Sequence, residues 1–350
     1  ARPAYLVLRN TLGAAILLTA ASVTLNVVGP KILGNATNII FEGVIGTMLA
    51  DKFPAGTTQE QAVEALRAAG QTQFADLLAG MTDLVLGQGI DFDALRTVLL
   101  VVLALYVGAA AFGYLQGLLT TGLIQRTMYR LRQQVEHKLG RLPLRYFDKE
   151  SRGDILSRVT NDIDNLGQTL QQALSQLLSA ILTLVGVLGM MFWISWQLAL
   201  IALVTIPLSG LITMQIAKRS QPQFVAQWKS TGALNGHIEE MYTGHALVKV
   251  FGRQQAAAET FKVENDELYT ASFKAQFISG LIMPSMTFVS NLNYVAIAVI
   301  GGLKVASGTM SLGDVQAFIQ YSRQFTQPIT QVASMMNLLQ SGVASAERVF

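Results

Sequence analysis

The stretch Tyr146–Leu166 reads YFDKESRGDILSRVTNDIDNL. From Phe147 onward it carries eight charged side chains in twenty residues, and long apolar runs lie on both sides of it. A charged, helix-forming segment between two membrane-length runs cannot itself lie in lipid, where every unpaired polar group is costly. It is therefore expected at the tip of a hairpin, where water solvates it and a partner can touch it.

Composition supports this reading along the whole chain. Of 350 residues, 51% are apolar and 13% charged, against about 25% charged in a soluble domain. The deficit points to a polytopic membrane protein rather than a soluble domain with one anchor. Six apolar spans are expected, at residues 5–28 (continuing toward 48), 94–124, 170–193, 198–216, 277–303 and 312–339. Each reaches the roughly 20 residues needed to cross a bilayer. An even number of spans puts both ends of the chain on one side.

Charge position sets that side. Nine Lys/Arg lie between Arg126 and Arg158 and seven between Lys218 and Lys274, whereas residues 51–93 carry two against seven acids. Basic residues stay on the cytoplasmic side, so segments 126–169 and 217–276 are expected in the cytoplasm and 50–93 outside. Arg2 and Arg9 place both termini in the cytoplasm, and the expected location is the cell membrane. A nucleic-acid surface is disfavoured, because the basic residues alternate with acids within a few turns of lipid spans.

The outer connections WISWQ (193–197) and ASGTMSLGD (306–314) are short. The cytoplasmic ones are long and helix-forming, with apolar Leu131, Val135, Leu139 and Leu142 at helical spacing. A helix from Gly153 to Trp193 is about 60 Å long at 1.5 Å per residue, twice the roughly 30 Å hydrocarbon core. The spans are therefore expected to continue as rods beyond the bilayer. In the 50–93 insertion, Thr57-Thr58-Gln59-Glu60-Gln61 resembles a capping-box start. Two short amphipathic helices follow, with stripes Ala62, Val63, Leu66, Ala69 and Phe74, Leu77, Leu78, Met81, broken at Gly70. They serve either to pack on the outer loops or as a lid for an apolar substrate.

Several chemistries are not encoded. There is no cysteine, and His137, His237 and His245 are scattered, so no metal site is expected. No G-x-x-x-x-G-K-[ST] occurs, so no P-loop is present to cradle phosphates, and no catalytic residue is assigned in this chain. Charge within the spans is sparse: Lys31, Glu42 and Arg323. This argues against proton- or sodium-coupled transport, which needs titratable groups near the midplane.

Three motifs in order carry a family resemblance. Phe147, Asp148, Gly153, Ser157, Arg158 and Asp162 match the first intracellular loop of ABC transporters with the exporter-type fold, Tyr146 replacing a Phe. IEEMYTGHALVKVFGRQQAAAETF (238–261) resembles the second intracellular loop through Glu239 or Glu240, Gly244, Val248, Lys249 and Phe251, with Gln254 where an acid is usual. ASAERVF at 344–350 resembles the link into a nucleotide-binding domain. The whole of 1–350 is thus similar to an ABC exporter-type transmembrane domain, an all-α membrane fold. The resemblance implies a domain-swapped dimer of two six-helix halves, as homo- or heterodimer. It implies coupling helices at about Tyr146–Arg152 and Lys249–Ala257, with Tyr146, Phe147, Asp148, Arg152, Lys249, Phe251 and Arg253 meeting nucleotide-binding domains. ATP and Mg2+ would act through such a domain after residue 350 or on a separate chain, making the full-length protein an ATP-hydrolysing translocase.

For the transport path, Gln316, Gln320, Gln324, Gln327 and Gln331 share one face of the sixth span, with Ser334 continuing it. Amides cannot face lipid unpaired, so the stripe is either an interhelical hydrogen-bonding seam or, as the resemblance implies, a wall of the cavity. Arg323, Met335 and Met336 lie close by, and Asn291, Asn293 and Tyr294 on the fifth span are further candidates. Pro30, Pro207, Pro284 and Pro328 sit within spans and permit kinks, as hinges or as static features. Gly113 and Gly117 suggest close helix contact. The function expected is alternating-access movement, export rather than import, of an amphipathic, lipid-like or hydrophobic small molecule. The alternative is a non-transporting membrane regulator or receptor.

Overall fold

A computed structural model describes residues 2–349, apart from Asp51, Ala55, Asp83 and Glu150. The elements in chain order are α1 (Arg2–Ala50), α2 (Gln59–Ala68), α3 (Thr72–Ala79), α4 (Phe92–Leu139), α5 (Leu144–Lys149), α6 (Arg152–Ser157), α7 (Ile163–Gln172), α8 (Leu178–Ile194), α9 (Trp196–Thr243), α10 (His245–Val250), α11 (Gln254–Gly280), α12 (Ile282–Ala306) and α13 (Leu312–Val349). No strand occurs among the described residues. Two π turns, Arg158–Asp162 and Ala173–Leu177, join α6, α7 and α8 into one rod of 43 residues.

Five stretches among the described residues are long and apolar enough to cross a membrane: Arg9–Ala50, Phe92–Leu139, Arg152–Ile194, Trp196–Thr243 and Gln254–Ala306. The chain is a multi-pass membrane protein. α13 is a further long helix, of 38 residues. The rods far exceed a bilayer: 48 residues of α4 rise about 72 Å at 1.5 Å each.

The chain forms two compact units, residues 1–199 with 297–350 and residues 200–296. In the first, α1 packs along α4, α8 and α13, and α13 also packs on α7. α4 begins at Asp91, whose carboxylate accepts from the Asp93 and Ala94 amides at 3.0 and 2.9 Å, and ends with His137 and Lys138 in its last turn. Acid at the start and base at the end both favour the helix dipole. Where α4 meets the rod, Ile124, Met128, Leu131 and Ile163 are buried together. Ser22 donates to the Ala109 carbonyl at 2.8 Å between α1 and α4. Of the glycine pair on α4, only Gly113 approaches α1, near Ser22; Gly117 faces open space.

The insertion forms as its sequence suggests. Thr58 and Gln61 make a reciprocal capping box. Ala62, Val63, Leu66, Ala75 and Leu78 bury against Ile45 and Leu49 of α1. Gln59 closes the pair by donating to the Leu78 and Met81 carbonyls at 2.6 and 2.9 Å. Ala69 departs from the expected stripe: it caps α2 and is exposed, because the helix has already ended.

In the second unit, α9 runs for 48 residues through Pro207 and Pro222. His237 Nε2 donates to the Ala257 carbonyl at 3.0 Å, tying α9 to α11. Tyr269, Phe273 and Phe277 stack along α11 at centroid spacings of 6.3 and 5.9 Å. The α11–α12 line breaks at Leu281. Pro284, three residues on, has no amide to offer the Gly280 carbonyl, so an unbroken helix is not available there.

Candidate functional site

Two short helices stand at the ends of the long rods. In the first, Tyr146, Phe147 and Asp148 lie on α5, and Arg152 opens α6 under the Ser151 cap, whose hydroxyl accepts from the Asp154 amide at 3.1 Å. Arg158 in the π turn donates to the Tyr146 hydroxyl at 2.9 Å and to Asp154 at 2.6 Å. One guanidinium therefore pins α5 to the base of the rod. The rings of Tyr146 and Phe147 meet edge to face at 5.7 Å, and Phe147 remains 40% exposed.

The second tip differs from the expected Lys249–Ala257. The short helix is α10, His245–Val250. The Glu240 carbonyl accepts from the Gly244 amide at 2.8 Å, closing the last turn of α9. Phe251, Gly252 and Arg253 form the turn, with Gly252 at φ +64°, and α11 starts at Gln254. The tip thus begins about four residues earlier, because Gly244 breaks the preceding helix and Gly252 reverses the chain. Lys249 closes α10, and Phe251 is 73% exposed at the apex. An exposed aromatic flanked by charges suits a partner's pocket.

On α13 the glutamines lie within an arc of about 80° at roughly 100° per residue. Phe318, Tyr321 and Phe325 are buried on a face about 130° away. Gln316 hydrogen-bonds the Thr37 hydroxyl of α1. The seam reading therefore holds at that position. Gln320, Gln324 and Gln331 are half-buried, and Gln327 and Arg323 are exposed. Met335 is only 3% exposed and packs within its unit. The side chains of Ser334 and Met336 lie outside the described residues. Asn291 and Tyr294 are exposed and Asn293 half-buried on α12, in the other unit.

Sequence reasoning missed the polar seam between α1 and α13. Lys31 forms an ion pair with Asp314, Asn38 accepts from the Gly313 amide at 2.7 Å, and Tyr321 donates to the Val27 carbonyl at 2.6 Å. Gly34 and Gly313 face each other so closely that neither position has room for a Cβ. Asp314 had been read as part of a turn. The Ser311-Leu312-Gly313-Asp314 pattern, with Ser311 accepting from the Asp314 amide at 3.1 Å, marks it instead as the first turn of a helix. A second missed cluster, Asp162, Asn165, Ser341 and Ser345, joins the rod to the far end of α13.

The described residues thus comprise long apolar helices with aromatic-bearing tips, and no group of three or more His, Cys, Asp or Glu among them could hold a metal ion. Residues 12–329 match the family of the ABC transporter transmembrane region, and the chain belongs to that family. Among relatives, it is 55% identical over 337 residues to a fatty acid ABC transporter ATP-binding/permease protein of Mycobacterium bovis, covering 96% of this chain and 53% of that one. It is 37% identical to the uncharacterized ABC transporter ATP-binding protein YfiC of Bacillus subtilis (76% and 45% covered). It is 26% identical to an ATP-dependent lipid A-core flippase of Syntrophus aciditrophicus (74% and 43% covered). The chain spans about half the length of these relatives. Its fold is of the exporter type.

Proposed function

We propose that this chain is the transmembrane part of an ATP-driven transporter that moves an amphipathic, lipid-like molecule by alternating access, exporting rather than importing it. The observation that carries this is the pairing of α5 and α10: two short helices with exposed Phe147 and Phe251, each held at the end of rods that run on from membrane spans. They are the handles through which nucleotide-binding domains would act, with ATP and Mg2+ held on those domains. Six spans per half, with the 50–93 insertion outside and segments 126–169 and 217–276 in the cytoplasm, complete the arrangement. The half-buried Gln320 and Gln324 offer hydrogen bonds to a head group, while the apolar spans suit its tail. The names of the mycobacterial relative and of the flippase agree with an acyl-chain cargo.

The many exposed apolar side chains, among them Leu103, Val204, Leu211, Met283 and Phe288, favour burial against lipid and a second transmembrane half. The test is the full-length protein in proteoliposomes with a fluorescent long-chain carboxylate. Phe147→Ala with Phe251→Ala is expected to abolish ATP-dependent movement and cargo stimulation of hydrolysis. Unchanged transport would remove the handles from the scheme.

A further inference from the structure

The end of α13 is locked to the first rod by a buried polar chain. Asn165 donates to Ser345 Oγ at 2.8 Å, and Ser345 in turn donates to Asp162 Oδ1 at 3.1 Å. Asn165 also donates to the Ser341 hydroxyl at 2.9 Å and lies 3.4 Å from its carbonyl. Ser345 is 1% and Asp162 6% exposed. One turn along, a Cβ on Gly342 would stand 2.5 Å from Thr169 Cγ2, so the Thr169 side chain packs directly against the Gly342 backbone. A buried hydroxyl that both accepts and donates cannot shift without stranding its neighbours, and stranded buried groups are costly.

The location gives this cluster its meaning. Asp162 closes the π turn whose first residue, Arg158, holds α5 through Tyr146. π turns inside long helices recur at functional sites. Ser341 and Ser345 lie in the last turns of α13. The cluster therefore connects two places that the proposed function treats separately: the first handle and the helix end leading toward a nucleotide-binding domain.

We propose that Asp162, Asn165, Ser341 and Ser345 are positioning residues that make the first handle and the end of α13 move as one body, so that the domain drives the span through two attachments in fixed register. This rests on the reading of the chain as an ATP-driven transporter. Loosening the cluster leaves hydrolysis running but lets the handle move without α13.

The test uses the full-length protein with Asn165→Leu, which keeps volume and removes the donors. A second variant, Gly342→Ala, leaves every polar group in place and pushes the helices apart, so the proposal survives a folding failure of the first. Two readouts are taken: cargo moved per ATP hydrolysed in proteoliposomes, and the distance between spin labels at exposed Leu156 and Val343, with and without trapped nucleotide. In the parent, one narrow distance unchanged by nucleotide is expected. In each variant the distribution should broaden, and transport per ATP should fall at least fivefold while hydrolysis stays within twofold. Equal loss of hydrolysis and transport, or unaltered distances, would overturn the proposal. A parent that neither hydrolyses ATP nor moves the fluorescent carboxylate would instead defeat the transporter reading, and the label distances would still decide whether the two segments are joined.

Discussion

The Arg158 guanidinium donates to the Tyr146 hydroxyl at 2.9 Å across the first tip, while its other arm holds Asp154. α5 has only six residues, too few to be helical by itself, so this contact sets where Phe147 points. Tyr146→Phe should keep the ring and lose the anchor. A hydrogen bond to a charged group at a half-exposed site is worth about 1 kcal/mol, so amide exchange across 144–149 should rise roughly fivefold with that loss. Exchange in α4 and α8 should not change. Cargo stimulation of ATP hydrolysis in the full-length protein should fall in parallel.

Lys31 and Asp314 each have only a quarter or so of the side chain exposed, in segments read as membrane spans. Removing one partner leaves a charge in a poor solvent. Lys31→Met is expected to destabilise the protein by about 2 kcal/mol, seen as a lower midpoint of thermal unfolding in nanodiscs. Adding Asp314→Leu should recover most of that loss, since an apolar pair in a bilayer carries no desolvation penalty. A double-mutant cycle with no coupling would mean that the pair is an incidental surface contact.

Two uses of glutamine on α13 can be separated. Gln316→Leu removes a hydrogen bond to Thr37 and should lower stability by about 0.6 kcal/mol, the usual worth of such a bond between membrane helices. Gln320→Leu and Gln324→Leu should leave stability unchanged and instead raise the half-saturating concentration of a fluorescent long-chain carboxylate severalfold. Equal effects on stability at all three positions would favour a seam throughout.

Thr58→Ala removes the capping box of α2, a change that typically costs about 1 kcal/mol. Because α2 and α3 share a core with Ile45 and Leu49, the loss should appear as faster amide exchange over 59–79 and at the far end of α1. Exchange in α9 and α11 should stay as it was.

Much of this architecture was legible in the residues. Apolar length marked five of the six expected spans, helical spacing at Leu131 and Val135 foretold a helix running on past its apolar stretch, and Thr58-Gln59-Glu60-Gln61 announced α2. What escaped was pairing between distant segments. Nothing local to Lys31 says that Asp314 will face it, 283 positions away, and Ser345 looks like any small residue until Asp162 and Asn165 are placed against it. The short helix near the second tip runs His245–Val250 and starts after Gly244, earlier than the Lys249–Ala257 that Phe251 and Lys249 suggest. Met335 lies close to the glutamines in sequence, and its burial has no local signal. The π turns had no signal at all, since their residues are ordinary helix formers.

The π turn at Ala173–Leu177 has a consequence for how such rods change over time. In a regular α-helix such as α8, deleting one residue would rotate every later side chain by about 100° and scramble the packing beyond it. A π turn already holds one surplus residue, so a deletion there restores ordinary winding and leaves both flanks facing their old neighbours. It acts as an expansion joint. Rod length can be trimmed at this point without rebuilding either end.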